Sequence, residues 1–192
     1  IELFDAIEKE GLYPQNRATF YENGNRLFFY ISSTYPEKSL KSQYAMRGLQ
    51  YTDSLLTILP KQSPEYKLYN AQANYIRGER AIAIALLDEI IDSVAVDNNL
   101  YARAASMRAS CDENHNHDSF LYYLTLSAYS DVIAGTREGT SLQRLGVALY
   151  DKGDISRAYK YLLHSLDNAV KSGARIRATE SSQAMPYIAQ SF

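Results

Sequence analysis

The sequence predicts an all-α protein built from antiparallel helix hairpins, and three observations support that prediction. Apolar residues recur at steps of three and four through most of the 192 residues, as on one face of a helix. No segment shows a convincing alternation of apolar and polar residues, the pattern of a half-buried strand. The five prolines stand mostly where a helix should begin or end. Helices of ordinary length joined by short turns are therefore expected.

The clearest predicted hairpin lies between residues 139 and 172. Its two amphipathic halves meet at Gly153 and Asp154, and the small residues Gly146 and Ala158 stand where the two helices should touch. Helix axes reach the short end of the usual spacing of roughly 8–10 Å only when the side chains at the crossing are short. The pattern is typical of a tetratricopeptide-type (TPR) hairpin, one of the repeats with a period of about 34 residues.

Two further segments repeat this pattern with different fidelity. Gly78 aligns with Gly153 at an offset of 75 residues, about two repeats of slightly long period, and each glycine is followed five positions later by an alanine. Between them lies a weaker copy, in which Arg108 and Phe120 stand where the other two have small residues. The predicted hairpins are therefore 64–97, 101–134 and 139–172.

The remaining segments complete a predicted single helical-repeat domain over residues 1–192. Residues 1–60 are predicted to form N-terminal helices with one divergent hairpin, whose turn lies at Tyr35 and Pro36. Residues 174–190 are predicted to form a C-terminal capping helix, since a helical solenoid needs a cap to cover its last apolar face. The expected architecture is a right-handed superhelix of antiparallel hairpins closed by this helix.

Composition excludes several classes of function. The formal net charge of -2 and the pI of about 5.9 give no electrostatic reason to expect binding to nucleic acid or to an anionic membrane. No apolar run is long enough to span a bilayer. Because the chain begins at Ile1 without a methionine, we expect it to be a mature or trimmed part of a longer protein.

Catalytic and metal-binding motifs are not evident, so neither enzyme activity nor a cofactor is predicted. The sequence has no nucleophile elbow, no phosphate-binding glycine loop and no HExxH. Cys111, His115 and His117 are a weak candidate zinc site, because thiol and imidazole groups are ligands that Zn²⁺ prefers. Their spacing is not one of the usual zinc arrangements, and the segment coincides with a predicted polar turn, which is the favoured interpretation.

A binding surface is expected on the first helix of each hairpin, which usually lines the inner face in this class of repeat. The candidate ligand- or partner-binding residues are Leu68, Gln72, Tyr75, Gln143, Val147 and Tyr150, with Glu65, Ala102, Ala105 and Ala109 as further positions. The set of Lys, Arg and Asn that clamps a C-terminal carboxylate is missing from these positions. Two interpretations of Tyr75 and Tyr150 stay open: they line a groove, or they only pack between neighbouring hairpins.

A wider stretch resembles a particular group of repeat proteins. Leu145-Gly146, Tyr150 to Ile155, Arg157-Ala158-Tyr159 and the downstream Gly173 to Arg177 resemble a bacterial family of membrane-anchored TPR regulators, most strongly over residues 120–190. The resemblance implies an extracytoplasmic, periplasmic region that senses a signal and is followed by a transmembrane helix outside this chain. It implies a protein or peptide partner or a small ligand, with homodimer formation a further option. The alternative is a free-standing TPR scaffold in the cytoplasm or periplasm.

Overall fold

The computed structural model describes residues 12–34, 37–136 and 140–174, together with Ala178, Thr179 and Ser182. All regular elements in these ranges are α-helices, so the all-α prediction is confirmed. The predicted leading residues 1–11, the turn at Tyr35 and Pro36, and most of the predicted capping helix lie outside the described residues. The helices are α1 (Pro14–Thr34), α2 (Lys38–Ile58), α3 (Pro64–Ile76), α4 (Arg80–Ser93), α5 (Asn99–Asp112), α6 (His117–Ile133), α7 (Ser141–Asp151) and α8 (Ile155–Ser172).

Polar side chains cap the N-termini of several helices. Ser63 accepts a hydrogen bond from the backbone N–H of Tyr66, and Pro64 occupies the first turn of α3. Asn98, Asn116 and Asp154 accept equivalent bonds at the starts of α5, α6 and α8. Each cap satisfies one of the donors that the first turn of a helix leaves without an intrahelical partner. The starts of these helices are thus fixed by local sequence.

The two turns that define the predicted repeat have the same backbone geometry. Gly78 and Gly153 both have φ of 84°, a left-handed conformation that residues with a side chain rarely adopt. At each turn the next residue donates its N–H to a carbonyl five residues back, from Glu79 to Asn74 (2.8 Å) and from Asp154 to Leu149 (2.9 Å). This hydrogen bond gives a partner to one of the last carbonyl groups of the preceding helix, and the left-handed glycine lets the chain reverse direction.

The contacts of the chain divide into two compact units, residues 1–86 and 87–192. In the first unit α1 packs on α2, and α2 packs on α3. The ring of Phe28 stacks on that of Tyr51, with centroids 5.6 Å apart. Buried Asn25 donates hydrogen bonds to Thr52 (2.7 Å) and Gln72 (3.1 Å), which links the three helices.

In the second unit α5 pairs with α6, α7 pairs with α8, and α6 packs on α7. The core is a continuous apolar cluster that includes Phe120, Leu124 and Leu162. A methyl group added to Gly146 would lie 2.8 Å from Leu162 Cγ and 3.3 Å from the carbonyl oxygen of Ala158. The close approach predicted between Gly146 and Ala158 is therefore confirmed.

Candidate interaction surface

The candidate metal residues do not form a site in the structure. Cys111 lies in α5 with 1% of its surface exposed, whereas His115 is exposed in the turn that follows and His117 is exposed at the first residue of α6. Across the described ranges no group of three His, Cys, Asp or Glu side chains is arranged to hold a metal ion. Burial separates the thiol from the two imidazoles, which sequence proximity alone had placed together.

In the first unit the structure divides the candidate binding residues between core and surface. Leu68 is only 2% exposed, so its side chain belongs to the core and is not accessible to a partner. Gln72 is half-buried, and its side-chain oxygen accepts the hydrogen bond from Asn25. Tyr75 is 39% exposed, and Glu65 is also exposed. Tyr75 and Glu65 are therefore the accessible members of the set on α3.

In the second unit the candidates on α7 are more accessible than those on α5. Val147 is 41% exposed and Gln143 is half-buried, while Tyr150 is half-buried and packs against the apolar core. Tyr150 thus has a packing role. The three alanines of α5 proposed as surface positions are buried instead, because they face the helices packed against α5: Ala102, Ala105 and Ala109.

Arg144 on α7 is a surface-lining residue that the sequence did not single out. Its Nη1 donates to Ser106 Oγ at 2.9 Å, and its Nη2 donates to Ser110 Oγ at 3.0 Å. These bonds join α5 to α7, which are the first helices of two successive hairpins. The partners are 38 and 34 residues apart in sequence, so no local pattern could have paired them.

A second feature missed from sequence is an ion-pair network around Arg108. Its guanidinium bonds Asp112 (2.5 Å) and Asp88 (3.0 Å) and lies 4.5 Å from the ring centre of Tyr123. Ser119 also donates to the Asp112 carboxylate. Burial by itself lowers the pKa of Arg108, because it disfavours the charged form. The hydrogen bond with Asp112 and the charges of Asp88 and Asp112 have the larger opposite effect, so the pKa of Arg108 is raised. Arg108, which in sequence breaks the small-residue pattern of the repeat, is thus held by specific interactions that connect neighbouring helices.

A buried polar chain lies where α6 meets α7. Ser127 donates to the carbonyl oxygen of Ala102 at 2.7 Å, and its hydroxyl lies 2.6 Å from that of Ser141. Asp131, with 8% of its surface exposed, also hydrogen-bonds Ser141. Burial raises the pKa of Asp131, and the hydrogen bond with Ser141 opposes that rise only in part.

An exposed apolar stripe runs along α6 on the side opposite the core. We define it as Tyr122, Thr125, Leu126, Tyr129, Val132 and Ile133, which share one face at helical spacing. Tyr122 is 59% exposed, Tyr129 56% and Val132 64%. The helical spacing of the apolar residues could not show which of the two faces of α6 the neighbouring helices would cover.

The fold and this surface define the class of protein: the chain is a TPR domain, an all-helical module of the kind that mediates protein–protein interaction. It belongs to the family of the SusR N-terminal TPR domain, which matches residues 1–183. The predicted TPR assignment is therefore confirmed. Domains of this class are typically non-catalytic.

Comparison with solved structures supports the same fold. The crystal structure of MamA superposes with a TM-score of 0.51 over 83% of this chain and 95% of the MamA chain, at 18% sequence identity. At that identity the likeness shows the fold alone. No curated protein matches the sequence. Of the helices that the structure describes, none is both long and apolar enough to cross a membrane.

Proposed function

We propose that this chain is the extracytoplasmic sensing region of a bacterial membrane-anchored regulator, and that it works by binding a protein, a peptide or a small ligand. The observation that carries the proposal is the match of residues 1–183 to the SusR N-terminal TPR domain. The resemblance of residues 120–190 to membrane-anchored TPR regulators supports the same role.

The accessible residues on the first helices of the hairpins suit recognition better than chemistry. In the second unit, Val147 offers an exposed aliphatic group and Gln143 a half-buried amide. In the first unit, Tyr75 offers an aromatic ring with a polar tip, a type of side chain enriched at interfaces. Such groups bind a partner by packing and hydrogen bonding, and they are not groups that activate water or a nucleophile.

The proposed location is tested by thiol labelling of the full-length natural protein in intact cells. Ser156 is exposed, so a Ser156→Cys variant should react with a charged maleimide that does not cross the cytoplasmic membrane. The native Cys111 is 1% exposed, so the wild-type protein is the matched control, and labelling of the variant in excess of the wild type is the readout. Labelling of the variant only after cell lysis would contradict the proposal and favour a cytoplasmic scaffold.

The proposed binding surface is tested with a photo-crosslinking amino acid at Val147 in the same full-length protein. A specific adduct is expected at Val147, and a matched probe at Leu163, which is 46% exposed on α8, should give none. A Tyr75→Ala variant carrying the Val147 probe reports whether the two units share one partner. Adducts from Leu163 alone would show that recognition uses a different face.

A further inference from the structure

Helix α6 has two apolar faces, of which the described structure covers one. Phe120, Leu124 and Ala128 face the core of the second unit. The exposed stripe on the opposite side includes Tyr122 and Tyr129, each more than half exposed. A contiguous apolar surface of this kind is a common mark of a protein interaction site.

The ring of Tyr122 packs against Tyr123, a residue that contacts the Arg108 ion-pair network. The two tyrosine rings meet edge-on, with centroids 5.1 Å apart and planes at 77°. Tyr123 in turn lies under the guanidinium of Arg108, which Asp112 and Asp88 hold. A side chain fixed before binding loses less conformational entropy when a partner arrives. Packing against Tyr123 therefore lowers the entropy that Tyr122 loses on contact.

Four residues of the stripe, Tyr122, Thr125, Leu126 and Tyr129, are spaced symmetrically along α6, while Val132 and Ile133 lie beyond this symmetric part. Tyr122 and Tyr129 stand at equal distances along the helix from the midpoint between Thr125 and Leu126. Two copies of α6 laid antiparallel across this midpoint bring each Tyr122 against Tyr129 of the other copy, as an isologous two-fold contact requires. Thr125 at the centre is short, and its hydroxyl already donates to the carbonyl of Leu121 at 2.8 Å. Close approach there leaves no donor without an acceptor.

The charge of this face also fits a second copy of the same chain. From Ser119 to Ile133 the sequence has one charged residue, Asp131, and it is buried on the core side. Asp118, at the N-terminal end of the stripe, lies 3.4 Å from Lys152. Two identical faces therefore meet without like charges at their centre, which would otherwise oppose association.

We propose that this chain forms a homodimer through the exposed stripe of α6, with a two-fold axis between Thr125 and Leu126. The large side chains of the stripe offer on the order of 400 Å² per copy, about half of what a partner contributes to a standard interface. An interface of this size belongs to the weak, transient class, so the dimer should dissociate on dilution. The proposal does not depend on the cellular location or on the identity of a ligand.

Sedimentation velocity on the full chain, from low micromolar to sub-millimolar concentration, tests the proposal. The wild-type protein should pass from monomer to dimer across this range. In Tyr122→Glu/Tyr129→Glu, like charges face each other, so the dissociation constant should rise at least about tenfold. In Tyr122→Lys/Tyr129→Glu, the antiparallel register pairs opposite charges, so dimerisation should return and weaken with added salt.

The control is Tyr13→Glu, since Tyr13 is 70% exposed and lies outside the stripe. This variant should dimerise like the wild type, and circular dichroism should show that all variants keep their helical content. A wild-type chain that stays monomeric throughout would overturn the proposal. So would a Lys/Glu variant as monomeric as the Glu/Glu variant, or a Tyr13→Glu variant that loses the dimer.

Discussion

At the scale of single residues, Asp131 is a buried carboxyl beside the linked hydroxyls of Ser127 and Ser141. Burial raises the pKa of Asp131 because it disfavours the charged form, and the hydrogen bond with Ser141 opposes that rise only in part.

The raised pKa of Asp131 predicts how the free energy of unfolding depends on pH. The folded state binds this proton more tightly than the unfolded state, so protonation stabilises the fold at low pH. That contribution is lost as the pH rises from the ordinary value of 3.8 through the folded pKa. Asp131→Asn cannot titrate, so its stability relative to wild type should increase with pH over this window and then stay constant.

Urea unfolding of both proteins at a series of pH values measures this difference. Ser141→Ala provides a second variant, because it removes the hydrogen bond that opposes the rise in the pKa of Asp131. Its stability should therefore fall more steeply with pH than that of the wild type. Parallel pH profiles for wild type and Asp131→Asn would show that Asp131 does not titrate with a raised pKa.

At the scale of helices, the α5–α6 hairpin differs from the other two because an ionic network replaces part of its small-residue packing. Arg108 and Asp112 have only 12% and 4% of their side chains exposed, and they link α5 to Tyr123 on α6. The sequence showed that the repeat pattern weakens at Arg108. The residues that Arg108 contacts lie on three different helices, so the sequence could not show why the pattern changes. What looked like a decayed copy is a hairpin stabilised by other interactions.

Replacing Arg108 with methionine should destabilise the fold by about 3 kcal/mol, because Asp112 is left buried without its counter-charge. Chemical unfolding measures the loss. The matched control is Lys171→Met, which breaks the exposed pair with Asp167 on α8 and should change stability by no more than about 0.5 kcal/mol. Equal effects of the two substitutions would show that the Arg108 network contributes no more than a surface pair.

At the scale of the whole molecule, the charges are nearly balanced, with 20 basic and 22 acidic residues. Binding to nucleic acid draws most of its affinity from neutralised phosphates, and this balance offers no excess of positive charge for it. We therefore predict that the chain does not retard duplex DNA in a gel-shift assay, even at low salt. Retardation that weakens as salt is added would contradict the prediction and point to a basic surface.

Much of the fold could be predicted from sequence, because the signals that begin and end these helices are local. The caps at Ser63 and Asp154 and the left-handed glycines at Gly78 and Gly153 act within one turn of the chain. The accessible residues of the candidate binding surface were harder to predict from sequence. Leu68 and Ala102 have the spacing of surface positions on their helices, yet neighbouring helices from elsewhere in the chain cover them.

The sequence by itself determined the class of fold, the hairpin repeat and the close crossing at Gly146, since helical periodicity and residue size are properties of short segments. Tertiary structure decided which surfaces remain accessible. On α6 both faces carry apolar residues at the same spacing, and only the packing of α5 and α7 on one of them leaves Tyr122 and Tyr129 exposed. Tertiary structure also decided the partners of Arg108 and Arg144, because contacts between residues far apart in the chain produce no periodic pattern in a single sequence.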